Sequence, residues 1–217
     1  MMENMAKTLD WYFDFISPYA YLQCMRFPAL PAGTQVRIKP VLFGALLDNS
    51  GTLGPAEVPG KREHTFRQVM WLARRNGVTL KAPPRHPFNP LPALRLAVAL
   101  GPPMNVVRRI YEFIWAEGRD ASDPAEFAQL AGSLGVEDAE ARIGDPAVKA
   151  KLKANTDEAL AARVWGVPTF VADGIAFWGF DAGAMLLDYL ADPSCVTGPE
   201  FDRAMHLPAG IQRKSRS

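Results

Sequence analysis

The sequence predicts an α/β fold: a four-stranded mixed sheet with helices on its faces, interrupted by a helical insertion. Three observations carry this expectation. The chain opens on a strand-helix-strand pattern. It closes on strand-strand-helix. Between them lies a long stretch of helix-period and proline-rich sequence with no strand signal. A two-stranded sheet is marginal in water by itself, so the two outer pieces are expected to join. The expected division is residues 1–43 plus 166–217 for the sheet domain and 44–165 for the insertion. A chain of 217 residues, 48% of them hydrophobic, is ample for such a core.

The first strand is expected over Leu9 to Phe15, where aromatic residues suit a pleated, half-buried surface. Ser17-Pro18 then starts a helix. A serine oxygen accepts from an orphan N–H of the first turn, and proline at the first helical position lacks only a donor that had no partner there. Pro28 and Pro31 stop this helix near Ala29. From Gln35 to Val41, Val36 and Ile38 alternate with Arg37 and Lys39, which reads as a second strand.

Gly44 to Gly60 reads as a loop or short helix. From Lys61 to Asn76, Phe66, Val69, Met70 and Ala73 share a face, and Gly77 ends the helix. Lys81 to Pro92 holds five prolines and must be irregular. Further helices are expected over Ala93 to Leu100, Asn105 to Ala116, Pro124 to Leu134 and Pro146 to Arg163, the last two capped by Ser122 or Asp123 and by Asp145. Thr169 to Val171 and Ile175 to Trp178, joined at Asp173-Gly174, read as a hairpin. Asp181 is expected to open a final helix, Ala182 to Leu190, before a loose tail that ends in Arg213 to Ser217. Assembled, this is the thioredoxin-type arrangement.

A formal net charge of +1 aims no strong field at nucleic acid or a membrane surface. No apolar run is long enough to span a bilayer and no leader pattern opens the chain, so the expected location is cytoplasmic. Cys24 and Cys195 form no CxxC, and they and the histidines His64, His86 and His206 make no metal motif; no metal is expected. Ser17 carries the one candidate chemistry, a hydroxyl beside the positive end of a helix, where an anion is stabilised. Plain capping is the favoured reading of that stretch alone. A second stretch far downstream, Gly166-Val167-Pro168-Thr169-Phe170, changes the balance.

Three motifs in order carry a resemblance: Asp14-Phe15-Ile16-Ser17-Pro18-Tyr19-Ala20-Tyr21-Leu22, then Gly166 to Phe170, then Trp178-Gly179-Phe180-Asp181. They resemble the 2-hydroxychromene-2-carboxylate isomerases and their relatives, the kappa-class glutathione transferases, from about Leu9 to Leu190. The resemblance implies a thioredoxin-like fold, glutathione as cofactor, a small aromatic substrate and a possible homodimer. It implies that Ser17 stands where oxidoreductase relatives carry the attacking cysteine, and that its hydroxyl bonds the sulfur of glutathione. A serine without a base is a poor nucleophile but a suitable donor to a thiolate. Pro168 resembles a cis-proline whose bond leaves the Val167 N–H and carbonyl to pair with the tripeptide backbone. Asp181 resembles the acid that holds the γ-glutamyl amine, with Trp178, Gly179 and Phe180 along that end; as a residue it reads equally as a helix cap. Lys61 resembles a lysine that meets a glutathione carboxylate, against a plain solvated lysine.

Departures accompany the likeness. Ala182 stands where an arginine is frequent, and no cation lies between Lys39 and Lys61, where a lysine would face the substrate carboxylate. His86 and Asn89 are candidates for the wall of the second site. The implied activity is glutathione-dependent cis-trans isomerisation of 2-hydroxychromene-2-carboxylate or a similar aromatic catabolite, by reversible addition of the thiolate. The alternatives are a kappa-like transferase and a thioredoxin-like binding module without turnover.

Overall fold

The computed structural model describes residues 8–211. The expected basic tail, Arg213 to Ser217, and the start of the chain, read as lacking a leader, lie outside them. The four-stranded mixed sheet is the one expected. Its strands are β1 (Thr8–Phe13), β2 (Gln35–Pro40), β3 (Thr169–Ala172) and β4 (Ile175–Trp178), in spatial order β2-β1-β3-β4. β1 pairs parallel with β2, Trp11 opposite Ile38, and antiparallel with β3, Trp11 opposite Phe170. β3 and β4 form the hairpin, turning at Asp173 (φ 49°) and Gly174 (φ 80°), the positive pair that a tight two-residue turn requires.

As a central strand, β1 is buried on both faces. Leu9, Trp11 and Phe13 enter the main core, where the Trp11 and Phe13 rings stack 4.3 Å apart. Tyr12 enters a smaller second core with Val41, Leu46, Ala159, Val164 and Val167. Asp10 shares that second face and is paired with Arg37 and Lys39 of the edge strand, Lys39 also meeting Glu158.

The helices are α1 (Pro18–Cys24), α2 (Phe43–Ser50), α3 (Lys61–Arg75), α4 (Leu91–Ala99), α5 (Met104–Tyr111), α6 (Pro124–Ser133), α7 (Ala139–Gly144), α8 (Pro146–Ala161), α9 (Gly183–Ala191) and α10 (Pro199–Met205). Asp123 and Asp145 cap α6 and α8 as expected, each accepting from the first turn. The main core runs without a break from the sheet into the helices through Tyr111, Phe113 and Trp115. The second face is covered by α2 and α8. There Thr156 accepts from Leu42 N at 3.1 Å, and Asn155 donates to the Pro40 carbonyl at 3.2 Å.

Five expectations change. The helix expected to run from Pro18 to about Ala29 ends at Cys24, and a separate 3-10 turn, Phe27–Ala29, follows it. Met70 is 40% exposed, so the inner face of α3 is Val69 and Ala73, with Phe66 partly buried against the main core. The helix expected over Asn105 to Ala116 continues from α5 as a π turn, Glu112–Ala116, in which Glu117 N bonds Glu112 O at 2.9 Å. The short α7, and α10 within the expected loose tail, were not foreseen. Asp181 does not cap α9. Ala182 holds the cap position in a helical conformation, with no side-chain bond to the first turn.

Candidate active site

The chain between β1 and α1 places Ser17 at the sheet's end. Ser17 is the N-cap, with extended backbone (φ −91°, ψ 114°) and Pro18 after it. Its Oγ accepts from Ala20 N at 3.2 Å and faces the Val167 carbonyl at 3.4 Å. The oxygen is thus fixed by the helix, while the hydroxyl hydrogen has one long partner among the described residues and can be given to another acceptor. The bond spans 150 positions of sequence and joins the two stretches singled out above. Val167–Pro168 is cis, as the resemblance implies. The Val167 N–H makes no hydrogen bond within the described residues.

The third motif is laced to the other two. Gly179 N donates to the Pro168 carbonyl at 2.8 Å, and the Gly179 carbonyl accepts from Gln23 Nε2 at 3.0 Å. Gln23 in turn accepts from Trp11 Nε1 at 2.6 Å, which ties α1 to the central strand β1 and to the segment that follows β4. Two glycines are required here. A Cβ on Gly166 would lie 2.4 Å from the Trp178 indole nitrogen, and one on Gly179 (φ 92°) would lie 2.5 Å from Asp181 Oδ1. Asp181 therefore folds back over Gly179 instead of capping α9. Its carboxylate is exposed and unpaired among the described residues. Trp178 is half exposed and meets Trp165 edge-on, with ring centroids 6.1 Å apart. Phe180 is buried, with the Arg26 guanidinium 4.7 Å above its ring.

Tyr19 links this motif to α3. Its hydroxyl donates to Gln68 Oε1 at 2.6 Å. Burial pushes its pKa up, the Thr65 hydroxyl opposes this, and the Asp181 charge adds to it. Lys61 is the first residue of α3, exposed and without an ion pair among the described residues. Ser17, Val167, Pro168, Gly179 and Asp181 are thus brought together. Asn89 Oδ1 accepts from Leu91 N at 3.1 Å at the start of α4. His86 reaches the site from behind, its Nε2 bonding the Ile16 carbonyl at 2.9 Å. The carbonyl can only accept, so Nε2 carries the proton. Nδ1 is left buried with no partner among the described residues. Burial lowers the His86 pKa; the Ile16 bond opposes this and Arg62 reinforces it.

One group beneath Ser17 had no role in the sequence reading. Asp14 is fully buried; Oδ1 accepts from Ile16 N at 3.1 Å and Oδ2 from Phe43 N at 2.9 Å. Burial raises its pKa to about 7, against the opposing pull of those N–H groups. The signal was present: a carboxylate between Phe13 and Phe15, inside an apolar run, is the kind of residue whose burial needs a reason. Cys24 is buried against the Met104 sulfur at 3.7 Å, and burial pushes its thiol up to about 12. Among the described residues no His, Cys, Asp or Glu group could hold a metal ion, and no helix is long and apolar enough to cross a membrane.

Known proteins share this architecture. The chain is similar to 2-hydroxychromene-2-carboxylate isomerase of Sphingobium xenophagum, 29% identical over 196 residues, which are 87% of this chain and 100% of that protein. It is similar to glutathione S-transferase kappa 1 of Rattus norvegicus, 27% identical over 205 residues, 85% of this chain and 90% of that one. A solved structure of selenomethionine 2-hydroxychromene-2-carboxylate isomerase superposes with a TM-score of 0.75 at 21% identity, covering 86% of this chain and 96% of that one; the shared property there is the fold. The family described as the DSBA-like thioredoxin domain matches residues 8–191, and the chain belongs to that family.

Proposed function

We propose that this chain is a glutathione-dependent isomerase of the 2-hydroxychromene-2-carboxylate type. The observation that carries the reading is the Ser17 hydroxyl, its oxygen fixed by Ala20 N and its hydrogen only loosely engaged by Val167 O. The names of the similar isomerase and kappa transferase support it. The residues present fit glutathione. The unpartnered Val167 N–H offers an edge for a peptide backbone, with Pro168 beside it. Asp181 offers an unpaired carboxylate for an ammonium, with Trp178, Gly179 and Phe180 around it. Lys61 offers an unpaired cation for a carboxylate. When bound, glutathione supplies a nucleophilic sulfur for reversible addition to a conjugated carbon, which makes rotation about the former double bond possible.

Ser17 donates its hydrogen bond to that sulfur and so favours its ionised form. It does not itself attack: among the described residues no base lies against its hydroxyl, whose partners are the Ala20 N–H and the Val167 carbonyl. Disulfide exchange is disfavoured, because serine forms no mixed disulfide and Cys24 is buried with its thiol pushed up. A cytoplasmic location fits a reading that needs reduced glutathione. His86 and Asn89 are offered as bounds of the second site, His86 through the Ile16 carbonyl it holds.

One observation favours a transferase as the second reading. α2 opens Phe43-Gly44-Ala45-Leu46-Leu47, with no cation to meet a substrate carboxylate. An ultraviolet time course with chromene carboxylate, with and without glutathione, separates the two. Glutathione-dependent interconversion to an equilibrium mixture is expected; a released glutathione adduct seen by mass would replace isomerase with transferase. Ser17→Ala should lower turnover about 10²-fold at pH 7. It should lose less at high pH, where the thiol ionises unaided. An equal loss at every pH would remove the assigned role.

A further inference from the structure

The three peptide carbonyls that precede Ser17 are each taken by a different side chain from the helical part of the chain. Tyr111 Oη donates to Asp14 O at 3.1 Å, Trp115 Nε1 to Phe15 O at 2.8 Å, and His86 Nε2 to Ile16 O at 2.9 Å. All three donors come from residues 70–100 positions away. The rings are buried for their apolar area, Tyr111 and Trp115 being fully enclosed. Area does not dictate that three successive carbonyls find three separate polar handles.

The backbone that carries two of those handles is itself unusual. Tyr111 ends α5 and Trp115 lies in the π turn that follows. A π turn is wider than an α turn and leaves the helix ladder locally rearranged; such turns occur frequently at functional sites. The Trp115 carbonyl accepts from Lys81 N at 2.7 Å, so the altered turn is anchored to the segment that leads to His86. Arg62 of α3 donates to the His86 carbonyl and holds that segment from the other side. The N–H groups of Ile16 and Ser17 close the turn on Asp14. Ile16 N bonds the Asp14 carboxylate and Ser17 N bonds Asp14 O at 3.1 Å.

We propose that Tyr111, Trp115 and His86 are positioning residues for Ser17: the helical insertion fixes the turn that carries the hydroxyl, through one donor per carbonyl. The proposal rests on the reading above only in taking Ser17 as the residue that meets glutathione. The fixing itself is a property of the free protein.

The test uses substitutions that keep a ring and remove a donor: Tyr111→Phe, Trp115→Phe and their combination. Amide hydrogen exchange is followed in the ligand-free protein. The Ile16 and Ser17 amides should exchange about tenfold faster in the double variant, with β1 and β3 amides unchanged. The kcat for glutathione-dependent turnover should fall about tenfold with the KM for glutathione little changed. His86→Phe should act in the same direction, and His86→Gln, whose amide N–H reaches about as far as Nε2, should restore part of the loss.

Unchanged exchange at Ile16 and Ser17 in the double variant would overturn the proposal. So would equal acceleration throughout the sheet, which would mean that the bonds serve global stability alone. If calorimetry showed no glutathione binding to the unsubstituted protein, the functional reading would fall while the exchange result still decided the positioning role.

Discussion

The two sides of Ser17 are built differently. On the helical side the turn's carbonyls and its buried acid are matched: three carbonyls meet three side-chain donors, and the Asp14 carboxylate meets the backbone N–H groups of Ile16 and Phe43. On the sheet side the groups are loosely held. Ser17 Oγ lies 3.4 Å from Val167 O, Val167 N has no partner, Trp178 is half exposed, and Asp181 carries an unpaired charge, as does Lys61 across at the start of α3, among the described residues. A site that must hold a peptide-like ligand gains from this asymmetry. The ordering entropy of one wall is settled on folding, and the other keeps its donors and acceptors for the ligand.

The largest expected effect contrasts two tryptophans. Trp115→Ala removes a fully buried ring and a donor to Phe15 O. It should destabilise by about 3–5 kcal/mol, a large part of the 5–15 kcal/mol typical of a whole domain, read from denaturant midpoints. Trp178→Ala, on the open side, should cost less than about 1 kcal/mol. Equal losses would erase the distinction between the two sides.

Next comes the buried carboxyl. The folded pKa of Asp14 is raised from 3.8 to about 7, so the folded state binds the extra proton between those values. Stability from this group is present in full at the acid end and is lost as pH rises through about 7, with a limiting slope of about 1.4 kcal/mol per pH unit. His86 acts with the opposite sign below 6.5, because its folded pKa is lowered and the unfolded chain takes up the proton first. The difference curve between the unsubstituted protein and Asp14→Asn isolates the carboxyl. The unsubstituted protein should lose stability relative to Asp14→Asn between pH 4 and pH 7, by up to about 4 kcal/mol. A flat difference curve would mean that Asp14 is not a desolvated acid.

Much of the fold was legible because it rests on local chemistry. The aromatic run of β1, the Ser17-Pro18 start, the Asp123 and Asp145 caps and the Asp173-Gly174 turn all act over a few residues. The π turn was not legible, since its side chains and its carbonyl answer to partners far away, Phe15 and Lys81. Asp181 reads locally as a cap. It is instead turned back over Gly179, whose positive φ redirects the chain before the helix begins. The candidate site was legible where motif residues converge, as at Ser17 and Val167. It was silent on the supports beneath, because nothing near Tyr111 or Trp115 in sequence announces a carbonyl about a hundred positions earlier.

The smallest effects test the open side by its charges. Asp181→Asn should weaken glutathione binding about tenfold in calorimetry, because a carboxylate hydrogen-bonded to an ammonium is worth about 1.5 kcal/mol or more. Lys61→Met should weaken it only about two- to fivefold, since the lysine is exposed and its pairing is screened. Salt sharpens the ranking. Raising ionic strength toward 1 M shortens the screening length to about 3 Å, which should abolish the Lys61 effect and leave a residue of the Asp181 effect. If both substitutions left the affinity unchanged at low salt, these charges would not be where the peptide lies. The loose groups around Val167 would then need another occupant.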